Sequence, residues 1–357
     1  MACNNFVNAG YWFTHTSSQL PASRIDANLY THLFCGHAGL NSQTYELSIS
    51  DSAKPLIHHF SQTVKENNSE LKTLLSIGGD DAKAERFGAM AAHSSHRAAF
   101  IRSSISKARE GNFDGLDLQW LYPSSVEDMA NFEALIIECH RAIIRESRES
   151  KEPRLIFVAT VFYSPRLENL TYPIQAIRRT LDWVNVIAYD IFTPILSSNE
   201  VGPSSAFFNP RRRSSSGDFG IRTWIRLGLP SKMMVFGVPF HGWAWKLNCS
   251  GNPRVFAPAQ GAAQGQDISM EGLIEYRNVK KFIAENDANN VVLDQRFAIA
   301  YTHCDSTGIA YEDEDTISFK ISRVKKNLEM LGYFLWNISA DDEDQSLARA
   351  ASTEWIK

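Results

Sequence analysis

The chain has 357 residues, 44% of them hydrophobic and 21% charged, a balance that excludes disordered and fibrous proteins. With a formal net charge of -4 it carries no general electrostatic footprint for nucleic acid. Its one basic run, Arg211-Arg212-Arg213, reads as a solvated loop beside Pro210 and three serines. No stretch approaches the roughly 18 apolar residues that a membrane helix needs, so neither nucleic acid nor membrane is expected among the partners.

Five cysteines, at 3, 35, 139, 249 and 304, are an odd number without a CxxC pair, which argues against a disulfide framework and a zinc site. Pairing of Cys249 with Cys304 stays open. No metal or cofactor is expected, and a monomer is. The opening MACNNFVNAGYWF lacks a basic stretch followed by an apolar one. A native start at Met1 would imply the cytoplasm; removal of a leader would imply the cell exterior or the vacuole. Sequons begin at Asn67, Asn169, Asn248 and Asn337, the last within an expected strand.

In chain order, the expected strands are 7–12, 31–37, 72–77, 113–120, 155–162, 183–189, 233–239 and 332–337, short β-branched and aromatic runs separated by segments of helical period. Eight such βα repeats predict an α/β fold, the (β/α)8 TIM barrel. The segment 124–149 predicts a helix, with Ser124 and Glu127 as a capping box and Met129, Phe132, Ile136 and Ile143 on its apolar face. About ninety residues separate the seventh and eighth strands, which implies an inserted α+β subdomain. A helix is expected there over 270–286, with strands over 291–301 and 307–315. The division is then barrel for 1–243 and 316–357, and insertion for 244–315.

Alternation along 113–123 puts Leu116, Leu118 and Trp120 on one face and Gly115, Asp117, Gln119 and Leu121 on the other. The apolar face should meet the helices. The second then points into the barrel and climbs toward its C-terminal mouth, where active sites of this fold lie. A satisfied polar layer in the core is the plainer alternative.

The string DGLDLQWLYP (114–123) resembles the DGxDxDWEYP signature of glycoside hydrolase family 18, and nearly the whole chain is similar to plant class V chitinases. LLSIGG (74–79), AYD (188–190) and GYFLWNISADD (332–342) resemble the family's third-, sixth- and eighth-strand motifs in the same order. The resemblance implies that the signature glutamate protonates the glycosidic oxygen, while the aspartate two residues earlier holds the substrate's acetamido group for attack on C1. Here those positions hold Leu121 and Gln119. An isobutyl side chain has no proton to give, a contribution typically worth about 10²- to 10⁴-fold in rate. Hydrolysis by the family mechanism is therefore not expected, and Asp114 and Asp117 are left as supporting aspartates.

By the same resemblance Trp336 floors the pocket beneath a sugar ring, Tyr189 donates to the acetamido carbonyl and Asp190 lies beside it. The ligand-binding candidates also include Asp117, Gln119, Leu121, the aromatic residue Trp12, Tyr122, Phe162, Phe240 and Trp243. FCGHAG (34–39) departs from the family in placing His37 where an aromatic stands and Gly39 where a carboxylate stands. VPFHGWAW (238–245) places His241 and Trp243 at tyrosine positions. Two readings follow: an inactive chitinase-like lectin that binds chito-oligosaccharides, or a barrel enzyme reused for another small molecule, with His37, His241, Asp117 or Asp190 as acid-base groups.

Overall fold

Runs rich in Val, Ile, Phe and Tyr suit a pleated surface, and each expected run becomes a strand. The computed structural model describes residues 6–79, 84–121, 123–167, 169–248, 254–286, 288 and 292–357. The strands are β1 (Val7–Phe13), β2 (His32–Leu40), β3 (Lys72–Gly78), β4 (Gly115–Gln119), β5 (Ile156–Phe162), β6 (Trp183–Ile187), β7 (Met234–Pro239) and β8 (Gly332–Trp336). Their order is β1-β8-β7-β6-β5-β4-β3-β2, and β1 also pairs with β2, which closes the ring. The expected (β/α)8 barrel is thus the observed architecture.

The chain divides into two compact units, one comprising Met1–Val186, Thr223–Val235 and Met330–Phe334, the other Ile187–Arg222, Phe236–Glu329 and Leu335–Lys357. In the first unit β1 to β5 run parallel, with Gly10 opposite Leu33, Phe34 opposite Leu74, Leu75 opposite Leu116 and Leu116 opposite Phe157. Its helices include α1 (Lys54–Lys65), α2 (Ala84–Ala92), α3 (Ser94–Glu110), α4 (Val126–Ser150) and α5 (Ile174–Thr180). α4 buries Met129, Phe132, Ile136 and Ile143, as its periodicity predicts. Its cap lies one residue later than expected: Ser125 accepts from the Asp128 amide, and Ser124 donates instead to the Asp128 carboxylate.

Helix α6 (Gly217–Arg226) begins in the second unit and ends in the first; the second unit also holds α7 (Tyr276–Glu285), α8 (Glu314–Lys326), α9 (Ser346–Ile356) and a separate antiparallel sheet. Strand His241–Leu247 lies between Ala259–Ala262 and Thr307–Tyr311, followed by Ile299–Cys304 and Val292–Asp294. Trp245, Leu247, Phe297, Ile299 and Tyr301 are buried in its core. The helix expected from residue 270 begins only at Tyr276, because Leu273–Glu275 is a strand paired with His241–Trp243. Gly272 turns the chain into that strand with φ +95°, where a Cβ would stand 2.7 Å from the Ala244 carbonyl oxygen. The single strand expected over 291–301 is two, broken by a turn in which the Phe297 and Ala298 amides donate to the Asp294 carbonyl. The second strand expected there, over 307–315, ends at Tyr311, where a capping box of Asp313 and Thr316 starts α8.

Candidate functional site

In the first unit the site is built outward from Asp117, at the middle of β4 and completely buried. A carboxylate there is costly unless donors surround it. Four do: Tyr11 Oη, Ser76 Oγ and Gln119 Nε2 each donate to Oδ2 at 2.8 Å, and Thr160 Oγ1 donates to Oδ1 at 3.1 Å. Burial raises the Asp117 pKa above the usual carboxylate range, while those four hydrogen bonds oppose the rise. Tyr11 is pushed up in turn by burial and by the adjacent carboxylate, and its oxygen accepts from Asn185 Nδ2 at 2.7 Å.

This network sets the direction of Gln119. A carboxylate only accepts, so the amide nitrogen faces Asp117 and the amide oxygen faces His37. His37 Nε2, 3.2 Å from that oxygen, is then the donor. The two glycines that end LLSIGG make room for the arrangement: a Cβ on Gly78 would stand 2.4 Å from the Gln119 carbonyl oxygen, and one on Gly79 would stand 2.3 Å from the His37 ring. Both have positive φ. Leu121 follows β4, half-buried, and brings no polar atom.

In the second unit the chain leaves β6 through Ala188, Tyr189 and Asp190, the last at φ +55°. That backbone conformation is uncommon outside glycine, though Asp tolerates it better than most residues. The Asp190 carboxylate receives Trp243 Nε1 at 2.7 Å and lies 2.9 Å from His241 Nε2. The His241 side chain is 6% exposed and that of Asp190 31%, so the pair opens to solvent through the carboxylate. Tyr189 is buried, with its ring edge-on to His241 at 5.9 Å and 6.4 Å from Trp336. Trp336, at the end of β8, is half-buried, which leaves part of an indole surface for a ligand.

Residues 7–341 match Glycosyl hydrolases family 18. The chain belongs to that family. Over 349 residues, 98% of this chain and 89% of the relative, it is 42% identical to a class V chitinase of Arabidopsis thaliana. Class V chitinase from Nicotiana tobaccum superposes with a TM-score of 0.93 at 37% identity, covering 98% of this chain and 99% of the other; one of its structures is a mutant in complex with NAG4. A chitinase-like agglutinin from Robinia pseudoacacia superposes with a TM-score of 0.88 at 36% identity and the same coverage.

The other candidate residues take different positions around the strands. Trp12 points away from the barrel interior: it is fully buried, stacks on Phe60 of α1 at 5.0 Å and donates to the Leu20 carbonyl. Asp114 faces the helix side, where it accepts from Lys65 at 2.6 Å and from the Thr73 amide at 2.8 Å. Burial works to raise its pKa, and these donors with the charges of Lys65 and Lys72 outweigh it and lower it. Phe240 is fully buried, its amide donating to the Trp336 carbonyl, whereas Phe162 is half-buried against Tyr163. Gly39 pairs with Ser48. Tyr122 lies outside the described residues, as does Cys249, and with it the pairing considered for Cys304. Cys35 and Cys139 are buried free thiols. Among the described residues no group of three His, Cys, Asp or Glu converges as a metal site.

The Asp117 network contains four members that the sequence reading does not single out as polar partners: Tyr11, Ser76, Thr160 and Asn185. The signal was strand parity, since each occupies an inward position of its strand as Asp117 does of β4.

Proposed function

We propose that this chain binds oligosaccharides of N-acetylglucosamine and leaves their glycosidic bonds intact. One observation carries the reading: past Asp117 in β4, the two side chains at the family's acid and acetamido-holding positions are Leu121 and Gln119, and the Gln119 amide is already committed to Asp117. An isobutyl group cannot protonate a leaving oxygen, and an uncharged amide does little to stabilise a cationic intermediate. The second unit supports retained binding, because Tyr189, Asp190 and a half-exposed Trp336 follow β6 and β8 as in the resemblance. The Robinia agglutinin is a structural relative at 36% identity.

Calorimetric titration with the N-acetylglucosamine tetramer tests this reading. Binding is expected, and Trp336→Ala should weaken it by about 1 to 3 kcal/mol, as loss of an aromatic anchor does elsewhere. Absence of any binding heat would favour a second reading, for which the 2.9 Å approach of His241 to Asp190 is the specific support: an imidazole–carboxylate pair able to move a proton on another small molecule.

A further inference from the structure

We propose that Arg211, which lies over Phe256, its loop neighbour Arg213 and Arg254, two residues before Phe256, form a second binding surface for an acidic polysaccharide whose sugars bear carboxylates. The basic run is the exposed, solvated loop expected of it, and its backbone is held by local hydrogen bonds. The buried Asn209 side chain accepts from the amides of Arg211 at 3.1 Å and Arg212 at 2.9 Å, and the Ser215 amide closes back on the Arg212 carbonyl at 2.7 Å. The Arg211 guanidinium lies over the Phe256 ring at 4.7 Å and that of Arg212 at 5.6 Å. Phe256 holds φ +69°, an outlier for an aromatic residue, and its backbone is fixed by the Val201 carbonyl.

Arg212 is neutralised by Glu200. Among the described residues no carboxylate pairs with Arg211, Arg213 or Arg254, and all three are exposed. The three stand on two segments that meet where Arg211 covers Phe256, and the Ala257 amide donating to the Arg254 carbonyl turns the second of them. With the ring beneath it, Arg211 keeps its N–H edge free for in-plane, two-point pairing with a carboxylate. Two alternative polyanions fit less well. A bilayer surface calls for exposed apolar side chains, and the two arginine-bearing segments, 209–215 and 254–257, hold no large exposed hydrophobic, the nearest along the chain being Leu196, Ile225 and Met270. Single-stranded nucleic acid calls for a free aromatic face, and that of Phe256 carries arginine.

The test measures binding of the full chain to polygalacturonate at low and at physiological salt. Fully methyl-esterified polygalacturonate, phosphatidylserine vesicles and single-stranded DNA are measured beside it. The triple variant Arg211→Gln, Arg213→Gln, Arg254→Gln is compared with Arg24→Gln, Arg86→Gln, Arg102→Gln, which removes the same charge from exposed positions in the first unit. The expected result is salt-sensitive binding to polygalacturonate that weakens at least tenfold in the first variant and less than twofold in the second, with N-acetylglucosamine tetramer binding and melting temperature unchanged in both. Equal losses in the two variants, no binding at low salt, equal binding of the esterified polymer, or tighter binding of vesicles or DNA would each overturn the proposal.

Discussion

Replacing Asp117 by Asn and by Ala separates the two roles of the buried carboxylate, accepting hydrogen bonds and carrying charge. Three donors converge on Oδ2 and one on Oδ1. An Asn oxygen at the Oδ2 position keeps three of them at neutral strength, and its amide can donate to Thr160, whose hydroxyl is free to turn toward Tyr11 at 3.1 Å. Each bond then falls from about 1.5–3 to about 0.5–1.5 kcal/mol, but the larger desolvation cost of the carboxylate is also removed, so at neutral pH Asp117→Asn should lie within about 1 kcal/mol of the unmodified protein. Asp117→Ala leaves four buried donors without an acceptor at about 1–3 kcal/mol each; with partial rearrangement the loss should exceed 4 kcal/mol. Urea denaturation followed across pH reads both effects. Because burial raises the Asp117 pKa, its contribution is full below the ordinary carboxylate range and is lost as pH climbs through the raised value, a slope that Asp117→Asn should lack. Equal stabilities of the Asn and Ala variants, or an unchanged pH slope in the Asn variant, would refute this account of the network.

Two further substitutions test the packing around the site and away from it. Gly79→Ala should cost more than the roughly 1–2 kcal/mol of placing a side chain at positive φ, because the new Cβ would displace the His37 ring; a thermal shift no larger than that of Gly261→Ala, a positive-φ glycine with open space around it, would contradict the clash. Lys320 and Glu312, each 1% exposed and paired in the second unit with Ser205, form a buried ion pair. Lys320→Met alone should destabilise by about 3–5 kcal/mol, whereas Lys320→Met with Glu312→Leu should recover most of that loss in the same denaturation assay.

The barrel was legible because each strand is a β-branched or aromatic run of proper length, and because β4 alternates so cleanly that Trp120 packs against Phe87 and Phe132 while Asp117 and Gln119 turn inward. The insertion was less legible: its pairing depends on His241–Trp243 meeting Leu273–Glu275, a contact between segments some thirty residues apart that no local pattern records. For the same reason the sequence identifies Asp190, His241 and Trp243 as separate candidates but not as one hydrogen-bonded set. The amide direction of Gln119 and the donor role of His37 follow only from the ring of donors around Asp117. The basic run is the solvated loop that its residues predict, and only the structure shows that loop closed on Asn209 with Arg211 over Phe256.

The central claim concerns the fate of a bound sugar. Purified, unmodified protein incubated with the N-acetylglucosamine tetramer should return only tetramer by mass spectrometry, while the folded double variant Leu121→Glu, Gln119→Asp should begin to release shorter sugars. Cleavage of the tetramer by the unmodified protein would contradict the account.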